Sequence, residues 1–289
     1  MANASARAVE HDGWPLNSIG RRARPDIAYL LPHSETEIDR LDVQHYALRA
    51  ALKGNYVVPV TEPGHVLDVG SGTGQWAFDV CEEFPGALVV GVDLEPGKPA
   101  RPANYRFVRA TVLDGLPFTT ASFDFVHQRL MIAAIPMRVW PHAVEEMVRV
   151  ARPGGVIELV EIGDRVEPVG PATRRLFDLL NGMSARHGLD PGGVVLRSLA
   201  GYLRRAGAED VERHAVAIPI GSWGGAIGSM MATDVRALFT KLREPIVRLL
   251  ALDPDEYADL MAIAMEECES YQSNAVCTIA YGRKPPHAT

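Results

Sequence analysis

An open α/β fold, its sheet largely parallel and wound by helices on both faces, is what this sequence predicts, and three observations carry the prediction. Val66-Leu67-Asp68-Val69 is an apolar run broken by one acid, followed at once by the turn Gly70-Ser71-Gly72-Thr73-Gly74 and then a helical pattern. Leu88-Val89-Val90-Gly91-Val92-Asp93 is a second apolar run with an acid at its tip. Further strand and helix patterns alternate downstream, the order that builds βαβ units and a parallel sheet. Ligands of such sheets lie outside the carboxyl ends of the strands.

The elements follow in order. Residues 1–27 are small and polar and are expected to form a poorly ordered arm. In the helical segment over 28–60, Ile38, Leu41, His45, Leu48 and Leu52 have the spacing of one helix face, which should pack on the main domain and help close its site. Strands are expected near 65–69, 87–92, 105–109, 123–127 and 155–161, with helices near 74–84 and 138–151. Phe84-Pro85-Gly86 and Arg152-Pro153-Gly154 stop those two helices, because proline cannot continue them. Helices then read over 171–187 and 195–206, and a strand over Val211 to Ile220.

Gly221-Ser222-Trp223-Gly224-Gly225 breaks the chain before two helical stretches, 226–240 and 243–252. Asp253-Pro254-Asp255-Glu256 starts another helix: Asp as N-cap, Pro in the first turn, Glu three residues after the cap. The last strand falls near 275–282. The long helical stretch between the final two strands, beginning with 221–253, reads as a lid over the ligand-binding edge; packing or dimerisation is its other reading.

Composition narrows the function classes. Hydrophobic residues make up 47% and charged residues 22%, an ordinary globular balance, and the net charge is −7. With no dense basic patch, nucleic acid is not expected as a partner. No stretch is long and apolar enough to span a bilayer and none reads as a signal peptide, so a cytoplasmic protein without membrane partners is expected, as monomer or homodimer. Cys81, Cys268 and Cys277 lack metal-ligand spacing and read as small core residues of a reducing compartment, and no metal site is expected.

The loop at Gly70 discriminates between cofactors. A dinucleotide fingerprint runs Gly-x-Gly-x-x-Gly with a pyrophosphate on the helix N-terminus. Here the spacing is Gly-x-Gly-x-Gly, and Asp68 stands two residues before the first glycine. A carboxylate there repels a pyrophosphate and suits a ligand with an ammonium group. S-adenosylmethionine carries an ammonium and a sulfonium, so it fits better than NAD. Asp93 at the next strand tip is placed to accept both hydroxyls of a ribose.

With these two runs, Leu116-Pro117-Phe118, Ser122-Phe123-Asp124-Phe125-Val126 and Arg152-Pro153-Gly154-Gly155-Val156-Ile157 complete an ordered set over roughly a hundred residues. In that order the chain resembles the class I S-adenosylmethionine-dependent methyltransferases. Upstream, Tyr29-Leu30-Leu31-Pro32-His33 and Glu37-Ile38-Asp39-Arg40-Leu41-Asp42-Val43-Gln44-His45 resemble the opening of the LaeA-like methyltransferases, as do Gly115-Leu116-Pro117-Phe118 and Phe125-Val126-His127-Gln128-Arg129-Leu130. The closer likeness covers about residues 29 to 161. It implies a Rossmann-like seven-stranded sheet, order 3-2-1-4-5-7-6, with the helical insertion between its last two strands. The methyltransferase domain would span residues 28–289.

The resemblance also implies roles. Asp68 would hold the methionine ammonium, and Gly70, Ser71, Gly72 and Gly74 would let the backbone pass under the cofactor, with Trp76 just beyond. Asp93 would bind the ribose and Leu94 one face of adenine. Thr111, Val112 and Leu113 would line the adenine; relatives commonly carry Asp or Asn where this chain has Thr111, so only a weaker hydroxyl contact is available there. Gln128 would flank the methionyl end. Tyr29, Gln44 and His45 are candidates for the cofactor carboxylate, packing or surface roles being the other reading. Methyl transfer needs alignment more than a triad. His127 is the best-placed general base if the acceptor is a hydroxyl, although a structural histidine is the simpler reading. The function expected is methyl transfer to a small or medium-sized, fairly apolar metabolite, with S-adenosylhomocysteine as product. A regulatory protein that binds the cofactor without catalysis is the alternative, and a dinucleotide oxidoreductase is disfavoured by the glycine spacing.

Overall fold

The computed structural model describes residues 35–286. Its sheet has seven strands in the order β3-β2-β1-β4-β5-β7-β6. The strands are β1 (His65–Val69), β2 (Leu88–Asp93), β3 (Tyr105–Arg109), β4 (Phe123–Arg129), β5 (Ala151–Glu167), β6 (Glu209–Pro219) and β7 (Asn274–Arg283). The helices are α1 (Glu35–Leu52), α2 (Gln75–Glu83), α3 (Trp140–Val150), α4 (Pro171–Arg186), α5 (Val194–Arg205), α6 (Gly225–Leu250) and α7 (Pro254–Ser270). Strands β1 to β5 pair in parallel, and β7 runs antiparallel to both β5 and β6. This is the expected order, with α6 and α7 inserted between β6 and β7.

The near-continuous apolar runs of the central strands reflect burial on both faces. On one face Val126, Ile157 and Leu159 pack against Trp140, Val144 and Met147 of α3 and Leu199 and Leu203 of α5. On the other, Val66, Val89 and Phe125 meet Trp76, Val80 and Cys81 of α2. A third cluster joins α1, α4, α6 and α7, centred on Leu48, Met183, Phe239, Leu242 and Tyr257. Met230, Met231, Met261 and Met265 all belong to it and so serve packing.

Two expectations change. Strand β5 is longer than the apolar run suggests, because β7 keeps pairing with it past a bulge to Val166↔Ala275 and Glu167↔Asn274. The two helices expected over 226–240 and 243–252 are one helix of 26 residues with Pro245 inside it. A proline there forfeits one backbone hydrogen bond. Leu242 and Ile246 on either side are buried, at 1% and 0% exposure, and that packing outweighs the local penalty. The start of α7 is as read: the Asp253 side chain accepts from the amides of Asp255 and Glu256. Glu267 of α7 caps α4 in turn, accepting from Ala172 and Thr173 N–H.

Helix α1 is bound to α6 by buried charges as well as apolar contact. Arg40 Nη1 donates to Asp234 Oδ1 at 2.5 Å and its Nε and Nη2 to Glu37, while Gln44 Nε2 donates to Asp234 Oδ2 at 2.9 Å. Lys241 Nζ donates to Glu37 Oε2 at 2.5 Å. Removing one member of such a network strands the others in a dry environment. Asp234→Ala should therefore destabilise the protein by about 3–5 kcal/mol, measured by urea unfolding; a loss under about 1 kcal/mol would show that the network behaves as a solvated surface pair.

Candidate functional site

The glycine turn between β1 and α2 is held open by its neighbour strand. Gly70 and Ser71 N–H both donate to the Val92 carbonyl, at 2.8 and 3.0 Å. Gly72 N–H donates to Asp93 Oδ2 at 2.9 Å, and Leu94 N–H to Asp93 Oδ1 at 2.6 Å. Gly70 and Gly72 both have positive φ, at 76° and 54°. A Cβ on Gly70 would collide with Met131 Sδ at 2.1 Å, whereas a Cβ on Gly72 would project into open space, the side from which a ligand approaches.

Around this turn the strand tips form a cleft. Asp68, Gly70, Ser71, Gly72, Trp76, Asp93, Leu94, Thr111, Val112, Leu113 and Gln44 all line it, together with His45, Arg129 and Met131. Gly74 does not line it; it is the left-handed N-cap of α2, φ 85°, backed by Phe78. Tyr29 lies outside the described residues. The Thr111 hydroxyl accepts from Leu113 N–H at 3.3 Å, so it also stabilises the turn that brings Val112 and Leu113 to the cleft.

Strand alternation explains the main departures at the end of β4. His127 and Arg129 share one face, and Gln128 points the other way. Gln128 is fully buried, and its Nε2 donates to Glu161 Oε1 at 2.5 Å. It is therefore a packing residue of the opposite face and does not line the cleft. His127 pairs in register with Asp68, and its Nδ1 sits 3.1 Å from Asp68 Oδ1. The imidazole stacks on the Trp76 indole, centroids 3.7 Å apart and planes 5° from parallel. Burial lowers the His127 pKa, with Asp68 opposing, so the ring is neutral and donates Nδ1–H to the carboxylate. The ring lines the cleft at 0% exposure, and its Nε2 is buried without a hydrogen-bond partner. Of the other histidines, His187 bonds to the Met183 carbonyl and His214 to Glu212, and neither lines the cleft.

Arg129 is the residue that the sequence alone did not single out. Its Nη2 donates to His45 Nδ1 at 2.8 Å, which leaves His45 Nε2–H to donate to Asp79 Oδ2 at 3.0 Å. Burial and then the Arg129 charge push the His45 pKa down to about 4, fixing this neutral tautomer. Among the described residues Arg129 makes no direct ion pair with a carboxylate; it lines the cleft, where burial lowers its pKa and the charges of Asp68, Asp79 and Glu158 oppose that shift. The available signal was the period of two: positions 127 and 129 lie on the face of Asp68. Helix α1 is latched to the turn by Asp42, which accepts from Thr73 Oγ1 at 3.1 Å and pairs with Lys98.

Two buried acids support the site from β5. Glu158 accepts from Val57 and Val58 N–H, and burial raises its pKa to about 7. Glu161 accepts from Gln128, Met131 and Ile132, and burial raises it to about 8. Because folding raises these pKa values from 4.5, the folded state binds more protons than the unfolded one, and stability falls as pH rises from about 5 to about 8. Glu158→Gln keeps one acceptor for the two amides and should flatten that fall, as read from unfolding midpoints across the range; an unchanged slope would place Glu158's proton elsewhere.

Comparison with known proteins gives a consistent picture. A family model described as a methyltransferase domain matches residues 66–155. The chain is 30% identical over 271 residues to methyltransferase pytC of Aspergillus terreus, covering 86% of this chain and 80% of that one. It is 27% identical to N-methyltransferase sirN of Leptosphaeria maculans, covering 90% and 96%. Against the secondary metabolism regulator laeA of Aspergillus fumigatus it is 31% identical over 204 residues, and spans about half, 54%, of that protein's length. Among solved structures, the methyltransferase in complex with the Trm112 methyltransferase activator of Haloferax volcanii matches with TM-score 0.51 at 16% identity, covering 88% of this chain and 95% of that one, a likeness of fold.

Proposed function

The chain belongs to the S-adenosylmethionine-dependent methyltransferases, and from that premise we propose that it methylates a small or medium-sized, fairly apolar metabolite without a metal ion. The named methyltransferases pytC and sirN, which match over most of both chains, support an enzyme over a regulator; the regulator laeA is matched over only 54% of its length. The described residues offer no group of three or more His, Cys, Asp or Glu arranged to hold a metal, which supports metal independence. Three free, buried cysteines and the lack, among described residues, of any helix able to cross a membrane support a cytoplasmic setting.

The cofactor fits the residues present. The open space over Gly72 receives the nucleoside, and the Asp93 carboxylate, fixed by three backbone amides, stands where the ribose hydroxyls bind. Asp68, held by His127 against Trp76, takes the ammonium. Arg129, held by His45, takes the carboxylate in a charge-assisted contact. Leu94, Val112 and Leu113 enclose the base. When bound, the cofactor supplies an electrophilic methyl on a sulfonium with a thioether as leaving group. The protein's part is alignment and exclusion of water. His127 acts here as a positioning residue for Asp68.

The Arg129 guanidinium and the Asp68 carboxylate lining one cleft without a direct ion pair between them carry this reading, because the two charges match a zwitterionic amino-acid end. Arg129→Gln should weaken S-adenosylhomocysteine binding about tenfold and Asp93→Ala by about 1–3 kcal/mol, both by calorimetry, while NAD binds neither the wild type nor the variants. Affinity unchanged in folded variants would refute these assignments. Incubation with labelled S-adenosylmethionine and a metabolite extract should give a labelled small molecule; label staying in the cofactor would favour a binding protein.

A further inference from the structure

A second concave surface lies between α4 and α5, over the end of the sheet built by β5, β7 and β6. It encloses about 540 Å³ and shares no lining residue with the cofactor cleft. Arg174 of α4, Arg197 of α5 and Arg213 of β6 reach it from three separate elements. None of the three makes a side-chain hydrogen bond or ion pair with another described residue, whereas Arg175 of the same α4 pairs with Glu256 at 2.6 Å. Arg174 and Asp178 both line the groove one helical turn apart, a spacing that favours pairing, yet they do not pair. Glu167 lines it too. Among the described lining residues three arginines face two acids, Glu167 and Asp178, an excess of one positive charge. The floor differs in character: Val276 and the buried Thr278 of β7 lie there, with Phe177 of α4 and Leu196 of α5 at the sides. Asn181 adds an amide oxygen that is buried without a partner.

We infer that this groove binds a small organic anion: one carboxylate or phosphate group held by the arginines, on an apolar body that covers Phe177 and Val276. Guanidinium groups present a planar fork of donors that matches either oxyanion. Three of them left without partners around an apolar floor fit an amphiphilic anion better than a bare ion. The site is independent of the cofactor reading, since it stands on other residues and other elements.

The test titrates benzoate, phenyl phosphate and inorganic phosphate into the full chain by calorimetry at low salt. Wild-type protein should bind benzoate or phenyl phosphate at one saturable site and inorganic phosphate more weakly. Which organic anion binds tighter identifies the carboxylate or the phosphate source. The triple variant Arg174→Gln, Arg197→Gln, Arg213→Gln replaces exposed side chains and should lose at least about tenfold in that affinity while binding S-adenosylhomocysteine as the wild type does. Absence of saturable binding by all three probes, equal probe affinity in the variant, or an equal loss of S-adenosylhomocysteine binding would each overturn the inference.

Discussion

The Asp93 carboxylate gripping the Gly72 amide is the contact on which the site's geometry turns. A loop with positive φ at Gly70 and Gly72 has little local reason to keep one shape, because glycine gains freedom in the unfolded chain. The adjacent strand supplies the constraint: Val92 fixes the first two amides and Asp93 the third. One carboxylate thereby shapes the turn and also stands at the β2 tip, where we propose that the ribose binds. Asp68 is held comparably from the other side, by a neutral His127 clamped on Trp76. Both acids are thus pre-oriented, which limits the ordering cost of binding a flexible, charged ligand.

The helical regions contribute through support. No residue of α6 or α7 lines the cofactor cleft, yet α6 anchors α1 through Asp234 and Lys241, and α1 presents Gln44 and His45. His45 in turn aims Arg129. A chain of contacts therefore runs from the insertion to the Arg129 charge in the cleft. We read the insertion as a brace for α1 more than as a lid in contact with the cofactor.

Much of this architecture was legible in the sequence because local chemistry and tertiary context agree there. The glycine turn, the acids at two strand tips and the Asp253 cap each have a local cause, and the fold preserves each. The misreadings arise where tertiary packing decides. The pattern divides 226–240 from 243–252, but the buried Leu242 and Ile246 carry one helix across that division and past Pro245. Gln128 is the contact that the resemblance implies, while the strand's alternation turns it to the opposite face from Arg129. Glu161, the buried partner of Gln128, gave no local signal because its significance comes from donors on another strand and the loop after it. Thr111 stands where the resemblance implies Asp or Asn, and its hydroxyl accepts from the Leu113 amide.

The central claim is that two acids and one arginine at adjoining strand tips hold a sulfonium nucleoside with an amino-acid tail. A crystal grown with S-adenosylhomocysteine tests it most directly. The account predicts density with ribose hydroxyls on Asp93, the ammonium at Asp68 and the carboxylate on Arg129. A cleft empty at saturating ligand, or the nucleoside bound with its amino-acid end turned away from Asp68 and Arg129, would contradict it.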